Sequence, residues 1–145
     1  MILPDINLLL YAYNPHVPQH AAAKRWWETV MNGEELIGLP NEVILGFVRI
    51  ATNPRLGPAV VPLASARLVV ETWLALPNCR VIAAGADHFS KVMDLVAKVM
   101  GSGAVVSDAV LAVYAIENRA TLCTNDTDFS RFPELNWCNP LLATV

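Results

Sequence analysis

The sequence has few cysteines, and the three it has, Cys79, Cys123 and Cys138, lie far apart along the chain. They form no Cys-x-x-Cys pair and none of the spacings typical of zinc sites, and an odd number of thiols cannot pair completely. The pattern indicates reduced thiols that mostly act as small core residues, as in cytosolic proteins.

Long hydrophobic runs are also missing. No apolar stretch approaches the roughly 20 residues that a helix needs to cross a bilayer. The amino terminus has no basic region followed by a long apolar stretch, which argues against a secretory signal. We therefore expect a cytoplasmic protein that does not associate with membranes.

Charged residues are scarce, at 16% of the chain, whereas apolar residues make up 54%. This apolar content suffices for a substantial core, and the length of 145 residues suits one domain, residues 1–145. The net charge of −3 lacks the basic excess of most nucleic-acid-binding proteins. Without five acids that lie beside apolar runs, however, eight acidic residues stand against ten basic ones. Net charge therefore does not exclude a nucleic-acid substrate, because bound cations would offset these five acids.

These five carboxylates lie at the border of the predicted core, where burying a charge is costly unless it is paired or binds a metal. They are Asp5 after residues 1–4, Glu42 before residues 43–48, Asp108 before residues 109–113, and Asp126 and Asp128 after residues 120–124. If the fold brings them together, they form an acidic site.

Short apolar runs alternate with longer helical patterns, which indicates an α/β fold with a parallel sheet. The pattern predicts strands at residues 1–4, 36–39, 80–83 and 121–124, with a possible edge strand at 136–141. It predicts helices from near Asn7, at residues 19–32, from Pro40 to before Asn53, at residues 63–76 and 87–100 with Asp87 as a cap, and from near Asp108 to about residue 118. A Pro/Gly-rich loop is predicted at residues 54–62. Ligands bind beyond the carboxyl ends of parallel strands, so all five acids are expected at one edge of the sheet.

Carboxylate oxygens are hard ligands that suit Mg²⁺ or Mn²⁺. Such a site can activate a water for attack on a phosphodiester and stabilise the leaving oxygen. A few of the five acids would suffice as ligands, because Mg²⁺ keeps several waters and a substrate phosphate can complete its coordination shell.

Each acid also has a purely structural interpretation. Asp5 could cap the helix that begins near Asn7, and Glu42 and Asp108 could be acids that complement the start of a helix. Residues 125–128 have the composition of an ordinary turn. These alternatives stay open for each residue taken alone.

The segments around the acids resemble the four motifs of PIN-domain nucleases, and specifically of VapC toxins. The matching segments are MILPDIN at residues 1–7, NEV at 41–43 with FVRIATNPR at 47–55, SDA at 107–109, and TNDTDFSRF at 124–132. They occur in the order of the family and span nearly the whole chain.

The resemblance implies a three-layer PIN-like fold, with a short, mostly parallel central sheet of four to five strands flanked by helices. It implies an Mg²⁺-dependent endoribonuclease, with Mn²⁺ able to substitute, that acts as the toxin of a type II toxin–antitoxin pair. A VapB-type antitoxin and a homodimer are the implied partners. Carried over to this sequence, the resemblance implies that Asp5, Glu42, Asp108 and Asp126 are the catalytic acids. Asp5, Asp108 and Asp126 would be metal ligands, Asp128 an outer or alternate ligand, and Glu42 either a ligand or the base that orients the water. Asn7 and Thr124 would hydrogen-bond the ligating acids or a metal-bound water.

The sequence also suggests a role for two arginines and leaves two alternative functions open. Arg49 and Arg55 are candidates for contacts with RNA phosphates or with the antitoxin, since guanidinium groups match phosphate oxygens. One alternative function is a phosphatase or receiver-like α/β domain that uses Asp5. The other is a non-catalytic module whose acidic edge binds a partner protein.

Overall fold

The computed structural model describes residues 1–142, in which strands and helices alternate as the pattern predicts. The strands are β1 (Ile2–Pro4), β2 (Ile37–Pro40), β3 (Cys79–Ile82), β4 (Thr121–Cys123) and β5 (Trp137–Cys138). The α-helices are α1 (Ile6–Tyr13), α2 (His20–Met31), α3 (Asn41–Ala51), α4 (Leu63–Leu74), α5 (His88–Lys98) and α6 (Ala104–Glu117). Two segments, Pro54–Ala59 and Thr127–Arg131, form 3₁₀ helices. None of the helices within residues 1–142 has the length and apolar character that a bilayer crossing requires.

The five strands form one parallel sheet in the order β3-β2-β1-β4-β5. The chain moves outward from β1 to β3 and then crosses back to place β4 on the other side of β1. Because parallel crossovers are right-handed, this reversal puts α1 to α4 on one face of the sheet and α5 and α6 on the other. The predicted three-layer α/β fold is confirmed. The carboxyl ends of β1 and β4 lie side by side. The connection that leaves β1 runs to one side of the sheet and the one that leaves β4 runs to the other, and open parallel sheets bind ligands at such a point.

An aromatic cluster packs the helices on the first face of the sheet. The Trp73 ring lies 4.8 Å from that of Phe47 and 5.6 Å from that of Trp27, between ring centroids. Its Nε1–H donates a hydrogen bond of 2.9 Å to the Tyr13 hydroxyl at the end of α1. The cluster therefore anchors α1, whose first turn follows Asp5 directly.

Three local predictions need correction. The predicted loop at residues 54–62 contains a 3₁₀ helix, which begins where the Asn53 side chain accepts a hydrogen bond from the Arg55 N–H. The predicted edge strand at 136–141 shortens to β5, because the Asn139 side chain accepts the Leu141 N–H and turns the chain. Asp87 precedes α5 but makes no capping bond, since its carboxylate pairs instead with Lys91 at 3.2 Å.

The thiols only partly follow the expectation of core residues. Cys79 and Cys123 are buried, whereas Cys138 is exposed at the edge of the sheet. The Sγ atoms of Cys123 and Cys138 lie 3.7 Å apart on the paired strands β4 and β5. Burial raises the pKa of the Cys123 thiol, with a further rise from Cys138.

Candidate active site

Asp5 lies at the carboxyl end of β1, where its backbone N–H donates to the Cys123 carbonyl on β4 at 2.8 Å. Its side chain is buried, with the residue 8% exposed. The chain positions Asp5 just before α1, but its carboxylate makes no capping hydrogen bond with that helix. The interpretation of Asp5 as a simple helix cap therefore lacks its main contact.

Thr124 connects the ends of β1 and β4. Its hydroxyl is fully buried and donates to Asp5 Oδ2 at 2.7 Å. The Thr124 hydroxyl oxygen in turn accepts the Asp126 N–H at 3.0 Å and the side-chain amide of Asn7 at 3.3 Å. The structure therefore places Thr124 in direct contact with the Asp5 carboxylate and Asn7 in contact with Thr124.

Asp126 and Asp128 begin the 3₁₀ helix Thr127–Arg131. Asp126 occupies the capping position, and its Oδ1 accepts the Asp128 N–H at 2.8 Å. The Asp128 carboxylate is 64% exposed and pairs with Arg131 at 3.2 Å. Residues 125–128 therefore do form a turn, as their composition predicts. The turn also holds Asp126 against Thr124, through the bond from the Asp126 N–H to the Thr124 hydroxyl.

The electrostatics show that four acids share one region, which we call the acidic site: Asp5, Asp108, Asp126 and Asp128. Burial raises the pKa of the Asp5 carboxyl most, and the charges of Asp108 and Asp126 raise it further, although the Thr124 hydrogen bond opposes the rise. The pKa of the half-buried Asp108 rises through burial, then through the charges of Asp126 and Asp128, against Arg131. Folding thus concentrates like charges that repel one another at neutral pH.

Glu42 is held differently. It is exposed in the first turn of α3, and its Oε1 accepts a hydrogen bond of 2.9 Å from the Tyr114 hydroxyl on α6. The charges that raise the pKa of Asp5 and Asp108 come from the other acids and not from Glu42. The structure therefore ties Glu42 to Tyr114 on α6.

The acidic site has the donor chemistry of a hard cation site. Within residues 1–142, no three acidic, imidazole or thiol groups converge into a complete set of protein ligands. Mg²⁺ keeps several waters and is bound through one or two carboxylates together with substrate phosphates. Its charge would also offset the repulsion that raises the pKa of Asp5 and Asp108. The residues present therefore fit Mg²⁺ better than a metal that needs a full protein cage.

The two predicted cations follow Glu42 along the chain. Arg49 is exposed in the last turn of α3, and Arg55 is exposed in the 3₁₀ helix that follows. Both therefore lie on the segment downstream of Glu42, where they are open to a partner.

The sequence analysis missed Tyr114, which is 2% exposed. Burial and the Glu42 carboxylate raise the pKa of its hydroxyl to about 12, so that it stays protonated at neutral pH. The available signal was a phenol within the aliphatic run of α6, where a buried hydroxyl needs a hydrogen-bond partner.

The geometry agrees with a comparison of the chain with known protein families. The PIN domain family matches residues 2–135. This chain belongs to the PIN domain family. The predicted resemblance is confirmed, including its VapC type, because the curated relatives are VapC ribonucleases.

One PIN domain relative is the ribonuclease VapC33 of Mycobacterium tuberculosis strain H37Rv, which is 43% identical over 141 residues. The match covers 97% of this chain and 99% of VapC33. Solved structures share the fold at lower identity. VapBC2 from Rickettsia felis, bound to a DNA fragment from its promoter, matches at 20% identity and a TM-score of 0.69, over 96% of this chain and 98% of the other. A toxin–antitoxin complex from Klebsiella pneumoniae matches at 16% identity and a TM-score of 0.64, over 97% and 98%.

Proposed function

We propose that this PIN domain is an Mg²⁺-dependent endoribonuclease that acts as the toxin of a type II toxin–antitoxin pair. The observation that carries the proposal is the buried Asp5 carboxylate, which Thr124 orients at the junction of β1 and β4 beside Asp108 and Asp126. The VapC ribonuclease relatives support an RNA substrate.

Asp5, Asp108 and Asp126 would hold the cation, one or two of them directly and the rest through its bound waters, with Mn²⁺ able to replace Mg²⁺. Asp128 would assist from the exposed side. When bound, the cation supplies Lewis-acid polarisation of the phosphodiester and makes the attacking water more acidic. Thr124 and Asn7 keep the Asp5 carboxylate in place, as hydrogen-bonded neighbours of ligands do. Asp126 is favoured over Asp128 for direct contact, because Asp128 is exposed and already paired with Arg131.

Glu42 would act as the base that accepts a proton from the attacking water. Its carboxylate is exposed in the first turn of α3, where water can reach it, and a carboxylate within hydrogen-bond reach of a water can accept its proton. Hydrolysis by water at the phosphorus requires no nucleophilic side chain. With the 3′ oxygen as the leaving group, the P–O3′ bond breaks and the ends are a 5′-phosphate and a 3′-hydroxyl.

A VapB-type antitoxin and a second copy of the chain are the proposed partners. The fold neighbours include toxin–antitoxin complexes, which supports an antitoxin partner. Arg49 lies in the last turn of α3, the helix that carries Glu42 in its first turn, and Arg55 lies in the 3₁₀ helix that follows. Both are exposed and can contact either RNA phosphates or an acidic antitoxin segment.

Cleavage of a total RNA preparation tests the activity. The purified chain should cleave RNA in Mg²⁺ or Mn²⁺ and stop in EDTA, and Asp5→Asn should abolish cleavage. Asp94→Asn, which removes an exposed acid on α5, is the matched control and should retain full activity. Full activity in Asp5→Asn would contradict the proposal. Formation of a stable aspartyl phosphate at Asp5 would favour the phosphatase or receiver alternative instead.

A further inference from the structure

The buried Tyr114 hydroxyl reaches a predicted catalytic acid from the opposite layer of the fold. It lies in the middle of α6, and its hydroxyl donates to Glu42 Oε1 at the start of α3 over 2.9 Å. Because burial and the Glu42 charge raise the pKa of Tyr114 to about 12, the phenol remains a donor over the whole physiological pH range.

The ring of Tyr114 is itself held firmly. It packs against the imidazole of His88 at the start of α5, with ring centroids 4.5 Å apart. His88 Nδ1 lies 3.6 Å from the Glu117 carboxylate, which pairs with Lys91 at 3.1 Å. Residues of α5 and α6 therefore determine where the hydroxyl points.

Glu42 needs such a contact more than Asp5 and Asp126 do. Asp5 is buried and bonded to Thr124, and Asp126 caps a 3₁₀ helix, so each is held by its own strand end. Glu42 has a longer side chain and is exposed, and it would otherwise sample many rotamers in solvent. A donor fixed in the core restricts that freedom and directs one carboxylate oxygen.

We propose that Tyr114 is a positioning residue that holds the Glu42 carboxylate in its catalytic orientation. This role rests on the proposed ribonuclease activity. Tyr114 acts through Glu42 and does not itself contact the substrate. The contact links α3 on one face of the sheet with α6 on the other, so helices of both layers determine where the Glu42 carboxylate lies.

Tyr114→Phe tests the role, because it removes the hydroxyl and keeps the ring on His88. We expect kcat for RNA cleavage to fall about tenfold, the effect of a loss near 1.4 kcal/mol in transition-state stabilisation. KM for RNA should stay within about twofold, since Tyr114 does not bind RNA. Tyr13→Phe is the matched control. It removes a hydroxyl that is bonded to Trp73 about 12 Å along α1 from Asp5, and it should leave kcat unchanged.

A double-mutant cycle separates positioning from a general structural effect. In a Glu42→Ala background, Tyr114→Phe should change the residual kcat by less than about twofold, because its partner is gone. An equal loss of kcat in both backgrounds would overturn the proposal, as would a kcat for Tyr114→Phe alone that matches the wild type.

The carboxyl ¹³C resonance of Glu42 provides a readout that does not depend on activity. It should move in Tyr114→Phe and stay in place in Tyr13→Phe, and an unmoved resonance in Tyr114→Phe would contradict the contact. If the wild-type chain fails to cleave RNA, the proposed function and this role fall together. An active wild type with a fully active Tyr114→Phe overturns only the positioning role.

Discussion

The Asp5 carboxylate loses favourable hydration on folding and gains two like-charged neighbours. Its pKa in the folded chain therefore lies above the usual 3.8, chiefly because of burial. Between these two pKa values the folded chain binds more protons than the unfolded chain, so stability falls as pH rises through that window. Above the raised pKa the full cost of the buried charge remains.

Asp5→Asn should therefore stabilise the chain at pH 7 while it abolishes activity. The amide removes the charge, and its oxygen can still accept from Thr124. In EDTA we expect Tm at pH 7 to rise by about 3 °C, the shift that about 1 kcal/mol causes in a domain of this size. Thermal unfolding from pH 4 to 7 should also show a weaker decline than in the wild type. A Tm at pH 7 below that of both the wild type and Asp94→Asn would contradict the argument.

Substitutions of Asp126 and Asp128, which lie two residues apart at the start of the 3₁₀ helix, should differ sharply in their effect on activity. Asp126→Asn keeps the cap on the Asp128 N–H, because asparagine is an equally good capping residue, and it loses only the charge beside Asp5. We expect kcat/KM for RNA to fall at least about 100-fold, whereas Asp128→Asn should cost less than about tenfold. Initial-rate kinetics on one RNA substrate measure both. The reverse order would make Asp128 the principal ligand.

At the scale of an element, the end of α5 shows how a helix can stop without glycine in the left-handed position. Met100 has φ of 52°, its N–H donates to the Ala97 carbonyl, and the Gly101 N–H donates to the Val96 carbonyl. These two bonds form a Schellman motif, in which glycine usually occupies the position of Met100. Glycines stand at positions 101 and 103, just after the helix, but the residue in the left-handed conformation is the methionine before them.

Met100→Gly should therefore stabilise the chain. The methionine is 93% exposed and contributes little packing, while an L-residue in the left-handed region costs about 1 kcal/mol. We expect the free energy of unfolding, from urea denaturation, to rise by about that amount. Met100→Ala removes the same side chain but retains the strain, so it should match the wild type. A gain in Met100→Ala equal to that in Met100→Gly would assign the effect to the side chain instead.

At the scale of the whole molecule, the fold gathers negative charge at one edge of the sheet. The repulsion is part of the folded state, because the acids come from segments far apart in the sequence. Any cation that binds there stabilises the folded chain over the unfolded one by mass action. Metal binding should therefore be visible in global unfolding.

Addition of Mg²⁺ should raise the Tm of the wild-type chain. At about 100 times its Kd the gain is about 2.7 kcal/mol, or about 8 °C. The comparison uses NaCl at equal ionic strength, since simple screening also reduces repulsion among the acids. Differential scanning calorimetry should show a much smaller rise in Asp5→Asn. Equal shifts in the two proteins would mean that Mg²⁺ binds elsewhere.

Much of this arrangement could be predicted from local patterns. Short apolar runs predicted the strands near residues 2–4 and 121–123, and the polar residues that follow each run mark its carboxyl end. Asp5, Thr124 and Asp126 could therefore be assigned to one edge, because parallel strands end on the same side. Asp87 and residues 136–141 were mispredicted, since a side-chain ion pair and an Asn139 turn outweighed local preference.

The order of elements, the positions of the strand ends and the identity of the acids follow from the chain's residue pattern, because burial and turn formation act over a few residues. Which acids meet does not follow from it. Thr124 reaches Asp5 across 119 positions, and Tyr114 reaches Glu42 across 72. Both contacts depend on the crossover that returns β4 to the side of β1 and lays α6 on the opposite face. Because such long-range contacts are set by packing of the layers, the folded chain alone shows that Tyr114 donates a hydrogen bond to Glu42 and that burial raises the pKa of the Asp5 carboxyl.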